Sequence, residues 1–211
     1  MAKLILVRHG KTDWNKLGKW TGYVDVDLTD KGIEEAKRAG ELLKGISVDR
    51  VFSSALKRAH QTYDEIKKVL NLPHEAVKHP ALNERHYGVR TGQNKWEVAK
   101  DIGEAEFQNI RRGWDSAIPE GETLKDVHAR VVPYFLETIL PHLQKGDNVL
   151  VVAHGNSLRA LVKHLENISD EDVRTLEIAT GEAYRYDVDA DGNILEREIL
   201  GSSVPRKTFL G

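Results

Sequence analysis

Two apolar runs of the sequence each end in a histidine followed by a glycine. In the first, "LILVRHG", Arg8 and His9 precede Gly10; in the second, "NVLVVAHG", His154 precedes Gly155. A neutral imidazole can accept a phosphoryl group as a nucleophile, and a second, protonated histidine can stabilise charge on the transferring oxygens. Arginine adds a fork-shaped cation that binds phosphate through two hydrogen bonds. These residue types predict phosphoryl transfer through a covalent phosphohistidine, with no metal ion.

Three short runs indicate the sheet that must position these side chains. Leu4–Val7, Arg50–Phe52 and Val149–Ala153 combine β-branched residues with a dense hydrophobic pattern, which favours a parallel sheet covered on both faces. Amphipathic helical patterns lie between them. The alternation predicts an α/β fold, a three-layer α/β/α sandwich with a mostly parallel central sheet. Ligands bind beyond the carboxyl ends of such strands, where we expect both His9 and His154.

Other interpretations of the two histidines are less favoured. One histidine-glycine pair after a strand is ordinarily only a turn, but two pairs, with Arg8 beside one of them, favour a shared site. Ser53, Ser54 and Arg58 follow another strand and are expected at the same rim. A zinc site is less favoured, because the sequence has no His-x-x-x-His pair and no His-Glu-x-x-His helix.

The composition narrows the class of protein and its setting. The chain has 211 residues, 40% of them hydrophobic and 30% charged, which suits one globular domain over residues 1–211. The net charge of -2 gives no general case for a nucleic-acid partner. The absence of cysteine excludes a disulfide framework, a cysteine nucleophile and a thiolate metal site. No run reads as a signal peptide or a membrane span, so we expect a cytoplasmic protein without a membrane partner.

Two segments depart from the alternating pattern. Residues 82–121 are dense in charge and tryptophan and poor in strand signals, which predicts a lid or cap over the site rather than a second domain. Near the C-terminus, an alternating stretch interrupted by Asp191 and Gly192 predicts a β-hairpin with at least one strand at the sheet edge. Residues 202–211 are expected to form a flexible tail. In the long amphipathic pattern before the third strand, Pro133 predicts a kink or a break.

Several longer motifs are similar to those of one family. The "RHG" motif together with the distant His154 resembles the histidine phosphatase superfamily. The stretches "RHGKTDWN", "FSSALKRA", "LNERHYG", "GQNK", "IRRGWD" and "VVAHGNSLRALVKHLE" resemble the cofactor-dependent phosphoglycerate mutases, over the chain from Lys3 to about Leu200. The resemblance implies a phosphoglycerate mutase-like fold and the glycolytic interconversion of 3-phosphoglycerate and 2-phosphoglycerate. It also implies a phosphohistidine enzyme, 2,3-bisphosphoglycerate as intermediate and priming cofactor, and no metal.

The resemblance assigns roles to individual positions. His9 would carry the phosphoryl group, Glu84 would be general acid and base for the substrate hydroxyl, and His154 would stabilise the transferring group. Arg8 and Arg58 would hold the phosphoryl group. The residues implied to bind the substrate are Asn15, Thr21, Gly22, Arg85, Tyr87, Lys95, Arg111, Arg112, Gly155 and Asn156.

Two other functions share parts of this pattern. A phosphatase of the same superfamily would transfer the phosphoryl group to water. Lys95, Arg111 and Arg112 instead suit a mutase, which must retain a bisphosphate. A non-enzymatic phospho-ligand sensor is least favoured, because His9 and Glu84 are both present. The expected partner is a small-molecule phosphoglycerate. The resemblance allows a homo-oligomer without fixing the subunit number, since the loop "DSAIPEG" is short.

Overall fold

A seven-stranded sheet forms the centre of the computed structural model, which describes residues 1–201 and 208–209. In chain order the strands are β1 (Ala2–Arg8), β2 (Arg50–Ser53), β3 (Val77–Lys78), β4 (Val149–Ala153), β5 (Ala183–Val188), β6 (Ile194–Leu200) and β7 (Thr208–Phe209). Across the sheet the order is β3-β2-β4-β1-β5-β6-β7. Strands β1, β2, β3, β4 and β6 run in one direction, whereas β5 and β7 run in the other. The predicted mostly parallel sheet and its three buried strands are confirmed.

Helices cover both faces of the sheet. In chain order they are α1 (Asp13–Lys16), α2 (Asp30–Leu42), α3 (Lys57–Leu70), α4 (Lys95–Ile102), α5 (Glu104–Arg112), α6 (Leu124–Tyr134), α7 (Leu140–Gln144) and α8 (Gly155–Leu165). Side chains of β1 alternate between the faces. Leu4 and Leu6 join the core with α6 and α8, and Ile5 and Val7 join the core with α2 and α3. The predicted three-layer α/β/α arrangement is therefore confirmed.

The register of β1 and β4 brings the two histidine-bearing strand ends side by side. The two strands pair in parallel, with Arg8 opposite Ala153. The N–H of His9 then donates to the carbonyl of Ala153 at 3.0 Å. Because both strands end at the same edge of the sheet, His9 and His154 enter one crevice.

Glycine is required where the chain leaves β1. A Cβ atom on Gly10 would lie 2.2 Å from the carbonyl oxygen of Gly32, and one on Gly32 would lie 2.1 Å from that of Lys11. The loop after β1 therefore packs backbone against backbone on the start of α2. The cap of α2 is Thr29, whose hydroxyl accepts from the N–H of Gly32. These contacts fix the loop that carries His9.

The long helical pattern before β4 changes type instead of ending at Pro133. Helix α6 continues one residue beyond the proline, and Phe135–Ile139 form a π-helical turn that leads into α7. Proline lacks the N–H of a regular helical hydrogen bond, which fits a change of helix type at this point. Packing on the sheet continues, because Phe135 and Ile139 are both buried.

The segment from residue 82 to residue 121 contains α4, α5 and a short 3₁₀ turn at Gly88–Arg90. It packs around an apolar cluster that is separate from the two cores of the sheet. The buried members of this cluster are Trp20, Tyr87, Val98, Phe107, Ile110 and Ile118. The segment thus has its own small core, and its interpretation as a lid stays a prediction.

Strands β5 and β6 form the hairpin that the alternating pattern predicts. Its turn is closed by the N–H of Asp189, which donates to the carbonyl of Asn193 at 3.0 Å. Contrary to expectation, neither strand lies at the sheet edge, because β7 pairs with β6. The remainder of the predicted flexible tail, residues 202–207 and 210–211, lies outside the described residues.

Candidate active site

A pocket lies beyond the carboxyl end of β1, lined on one side by the start of α8 and on the other by α4 and α5. Many of the residues that the sequence and the resemblance singled out line it: Arg8, His9, Asn15, Thr21, Arg58, Glu84, Tyr87, Lys95, Arg111, Arg112, Gly155 and Asn156. Gly22, Arg85 and His154 are not among its lining residues. The lining residues that sequence reasoning missed are Trp20, Arg159, Glu177 and Ile178.

The tautomer of His9 is set by the backbone. Its Nδ1 lies 2.7 Å from the carbonyl oxygen of Gly10, and a carbonyl can only accept, so the neutral ring carries its proton on Nδ1. The lone pair on Nε2 is then free to attack phosphorus. The N–H of Gly10 donates to Thr62 Oγ1 at 3.0 Å, which holds the residue whose carbonyl orients the His9 ring. Burial first, and then the charges of Arg58 and Arg8, lowers the pKa of His9 well below its ordinary value, so the ring is neutral.

His154 lies beside His9, with the two ring centroids 4.9 Å apart. Its Nε2 is 2.7 Å from Ser54 Oγ, which also accepts from the N–H of Leu56 at 3.2 Å. Burial first, and then the charges of Arg58 and of neighbouring cations, lowers the pKa of His154 well below its ordinary value. Among protein groups alone, this direction opposes the expected protonation of the second histidine. A phosphoryl group beside the ring would raise its pKa again.

Several buried nitrogen atoms at this end of the pocket have no hydrogen-bond partner among the described residues. They include Nε of Arg8, Nε of Arg58 and Nδ1 of His154. Since the Ser54 hydroxyl can donate to Nε2 of His154, Nδ1 can carry the ring proton and act as a donor. A buried donor without a partner costs roughly 1–3 kcal/mol. Several such donors around His9 indicate a site for an anion with multiple acceptor oxygens.

Arg58 is held in place by backbone carbonyls. Its Nη1 donates to the carbonyl of Val24 at 3.0 Å, and its Nη2 donates to that of Gly22 at 2.9 Å. Gly22 has a φ of 54°, in the left-handed region that favours glycine. Gly22 therefore acts on the site through Arg58 rather than by lining the pocket. Burial lowers the pKa of Arg58 to about 10, so the side chain remains a cation at neutral pH.

Glu84 is tied to the N-terminus of α8. Its Oε1 accepts from the N–H of Arg85 at 2.8 Å and from the N–H and Nδ2 of Asn156, both at 3.0 Å. The amide of Asn156 also donates to the hydroxyl of Tyr87 at 2.8 Å. The three bonds to the Glu84 carboxylate all fall on Oε1, so Oε2 is the oxygen that can exchange a proton with a substrate hydroxyl.

An ion pair holds the loop that carries Glu84. Arg130 donates from Nη1 to the carbonyls of Ala81 and Asn83 at 2.7 and 3.0 Å, and from Nη2 to the carbonyl of Glu84 at 3.0 Å. The same guanidinium donates to the Glu122 carboxylate at 2.7 and 2.9 Å. Arg130 therefore positions the Glu84 backbone without lining the pocket.

Arg85 is placed away from the pocket, in contrast to its implied role in substrate binding. Its guanidinium donates to the carbonyls of Ile110 and Ser116 at 2.8 and 3.0 Å and to that of Glu122. The side chain is fully buried. Each of the three guanidinium nitrogens donates to a carbonyl, so Arg85 joins α5 to the loop that follows it.

The outer part of the pocket carries three cations on α4 and α5. Lys95 begins α4, and burial together with the neighbouring arginines lowers its pKa to about 8. Arg111 and Arg112 end α5, and the Arg111 guanidinium lies 5.8 Å from the centre of the Trp96 ring. These cations can bind a second anionic group on a ligand whose phosphate lies at His9.

Arg159 is a lining cation for which the sequence analysis gave no role. It is 4% exposed, and burial lowers its pKa to about 10. Its Nη1 donates to Asn156 Oδ1 at 2.9 Å, and its Nη2 donates to the carbonyl of Val173 at 2.7 Å. The spacing of three residues between Asn156 and Arg159 puts them on one face of α8, which is the signal that could have identified it.

Comparisons with known proteins point in the same direction. A family model described as "Histidine phosphatase superfamily (branch 1)" matches residues 4–199. A 2,3-bisphosphoglycerate-dependent phosphoglycerate mutase of Corynebacterium kroppenstedtii is 44% identical, over 92% of this chain and 89% of the relative. A phosphoglycerate mutase of Schizosaccharomyces pombe is 44% identical, over 93% of this chain and 95% of the relative.

Solved structures share the fold. The alpha-ribazole phosphatase of Shigella flexneri matches with a TM-score of 0.76 at 27% identity, covering 95% of this chain and 96% of that chain. A mycobacterial glucosyl-3-phosphoglycerate phosphatase matches with a TM-score of 0.81 at 24% identity, covering 96% of this chain and 100% of that chain, a likeness in fold alone. None of the helices in the described part of the chain has the length and hydropathy of a membrane span.

Proposed function

This chain belongs to the histidine phosphatase superfamily (branch 1), and we propose that it interconverts 3-phosphoglycerate and 2-phosphoglycerate as a 2,3-bisphosphoglycerate-dependent mutase. The setting we propose is glycolysis in the cytoplasm. Two relatives with 44% identity over most of their length carry the mutase name. The observation that carries the proposal is that Lys95, Arg111 and Arg112 line the same pocket as His9.

His9 supplies the nucleophile in this proposal. Its Nε2 forms the P–N bond while a P–O bond of the phosphate ester breaks, and in the reverse direction the substrate hydroxyl forms the P–O bond while the P–N bond breaks. Arg8, Arg58 and His154 each keep a buried nitrogen without a protein partner, and these donors would hold the phosphoryl oxygens. The approaching phosphoryl charge raises the pKa of His154, which favours the protonated ring and a charge-assisted hydrogen bond to the phosphoryl oxygens during transfer.

Glu84 moves the proton of the reacting hydroxyl. Its Oε2 takes the proton as the hydroxyl oxygen attacks phosphorus, and it returns a proton to the oxygen that leaves in the opposite step. The hydrogen bonds from Asn156 to Oε1 keep the carboxylate oriented during this exchange. Arg130 and Glu122 keep the loop of Glu84 in place.

The pocket fits 2,3-bisphosphoglycerate at both of its charged ends. This cofactor would supply the phosphoryl group that primes His9. The partnerless donors around His9 match one phosphate, and the outer cations match the second phosphate and the carboxylate. The residues that would hold it are Arg8, Arg58, His154, Lys95, Arg111 and Arg112. A phosphatase needs only the first set, so the outer cations favour a mutase.

The test is the conversion of 3-phosphoglycerate, followed by ³¹P NMR with and without a catalytic amount of 2,3-bisphosphoglycerate. A mutase produces 2-phosphoglycerate, is strongly stimulated by the bisphosphate and releases inorganic phosphate much more slowly. Release of inorganic phosphate at a rate comparable to the conversion would assign the chain as a phosphatase instead. His9→Ala is the matched inactive control for both readouts.

A further inference from the structure

One acidic side chain lies among the outer cations. Glu177, in the loop before β5, lines the pocket together with Lys95, Arg111 and Arg112. Its Oε2 is 2.8 Å from Arg112 Nη2, and its Oε1 is 4.0 Å from Arg111 Nη2. The Glu177 side chain is 61% exposed, so it does not fill a core. The ion pair therefore lies where the second anionic group of a ligand would bind.

The main chain on both sides of Glu177 is held by arginines of the same pocket. Arg8 Nη1 donates to the carbonyl of Ile178 at 2.6 Å, and Arg112 Nη1 lies 3.5 Å from the carbonyl oxygen of Leu176. Arg8 also belongs to the phosphoryl end of the pocket. Arg8 and Arg112, two cations of the pocket, therefore hold in position the segment that carries the Glu177 carboxylate.

The Glu177 carboxylate opposes the approach of another anion. Although partial burial raises its pKa, the hydrogen bond from Arg112 and the charges of Arg112 and Arg111 lower it overall, so the group is ionised at neutral pH. A ligand anion that reaches Arg112 must replace this carboxylate or bind beside it against repulsion. Inorganic phosphate bound only at His9 meets no such competition.

We propose that Glu177 is a specificity-determining residue, an internal competitor that occupies the position on Arg112 to which the second anionic group of a phosphoglycerate binds. The inference rests on the proposed function, since it takes a phosphoglycerate as the ligand. Binding exchanges one anion for another on Arg112, so Glu177 lowers the affinity for ligands that reach this arginine. It leaves the affinity for inorganic phosphate unaltered and hastens the release of product.

The experiment is calorimetric titration of unprimed protein with 3-phosphoglycerate and, separately, with inorganic phosphate. Glu177→Gln removes the competing charge and keeps the size of the side chain. We expect this variant to bind 3-phosphoglycerate about two- to tenfold more tightly, the scale of one partly exposed ion pair and one repulsion. Its affinity for inorganic phosphate should equal that of the unmodified protein. Glu171→Gln, an exposed acid before the same loop, is the control for net charge and should change neither affinity.

A second variant pair tests the role of Arg112. In an Arg112→Ala background, Glu177→Gln should tighten binding of 3-phosphoglycerate clearly less than in the unmodified protein, because only the repulsion between Glu177 and the ligand then remains to be removed. Unchanged or weaker binding by the single Glu177→Gln variant would overturn the inference, and so would an equal gain for inorganic phosphate. If the unmodified protein binds inorganic phosphate but neither binds nor converts 3-phosphoglycerate, the proposed function fails instead.

Discussion

The inner and outer halves of the pocket are built in different ways. The inner half, around His9, Arg58 and His154, is buried to 2% exposure or less and is anchored at strand ends and carbonyl groups. The outer half places Arg111 and Arg112 at the end of a short helix, facing the exposed Glu177. The difference indicates that the transfer chemistry depends on a preorganised sheet edge, whereas ligand affinity depends on adjustable ion pairs.

Removal of the nucleophile is the strongest test of the inner half. His9→Ala should lower kcat by at least about 10⁴-fold, because the proposed mechanism loses its nucleophile. Steady-state conversion of 3-phosphoglycerate measures this loss, and thermal unfolding checks that the fold is retained. His74→Ala, which removes a half-buried histidine outside the pocket lining, should keep normal turnover. Near-normal kcat in the His9 variant would refute the covalent route.

Substitution of Glu84 tests whether this residue of the inner half acts in proton transfer rather than in ligand binding. Glu84→Gln keeps the shape of the side chain but removes its capacity to take a proton, so kcat should fall by about 10²–10⁴-fold. The dissociation constant for 3-phosphoglycerate should change far less. Glu75→Gln, an exposed acid, is the control. Equal losses in rate and in affinity would reassign Glu84 to ligand binding.

The pH dependence of KM tests the contribution of Lys95 to ligand binding in the outer half. Burial lowers its pKa to about 8, so the side chain loses its charge as the pH rises through that value. The KM for 3-phosphoglycerate should therefore rise between pH 7 and pH 9, by roughly two- to tenfold for one partly screened charge. Lys95→Arg keeps a cation across this range and should flatten the profile. A KM that rises equally in both proteins would assign the titration to another group.

Acid sensitivity of stability reports on the inner half without any ligand. His9 and His154 have pKa values well below the ordinary histidine value in the folded chain, so the unfolded chain binds more protons below about pH 6.5. The contribution of the two neutral histidines to the free energy of unfolding is fully present above that pH and is lost as the pH falls. We expect the free energy of unfolding to drop between pH 7 and pH 5 by up to roughly 2 kcal/mol for each of the two histidines.

Denaturant titration at several pH values measures this loss, and inorganic phosphate should restore part of it. His154→Gln should flatten the acid slope, whereas His74→Gln should not. An identical slope in the His154 variant would mean that its ring is not held neutral by the fold.

Most of the inner half could be predicted from the sequence. Short apolar runs identify β1 and β4, and the carboxyl ends of parallel strands meet at one edge, so the approach of His9 to His154 follows from pattern and topology. The protonation state of His154 could not be predicted in this way. It depends on burial beside Arg58, which only the packed structure shows.

The outer half was harder to predict from the sequence, because its contacts join distant parts of the chain. Arg85 was expected in the pocket, yet its guanidinium binds carbonyls near residues 110, 116 and 122. Glu177 has no neighbouring motif that signals its pairing with Arg112 across 65 residues of sequence. A resemblance carries residue types from one chain to another, but the partners of each side chain depend on packing.

The most direct test of the account is to identify the phosphorylated atom. Protein incubated with 2,3-bisphosphoglycerate should carry one acid-labile phosphoryl group on His9, detected by mass spectrometry under alkaline conditions. Because the Nδ1 proton is held by the carbonyl of Gly10, ³¹P NMR should show the group on Nε2. Phosphate on Nδ1, on another residue, or on no residue during active turnover would contradict the account.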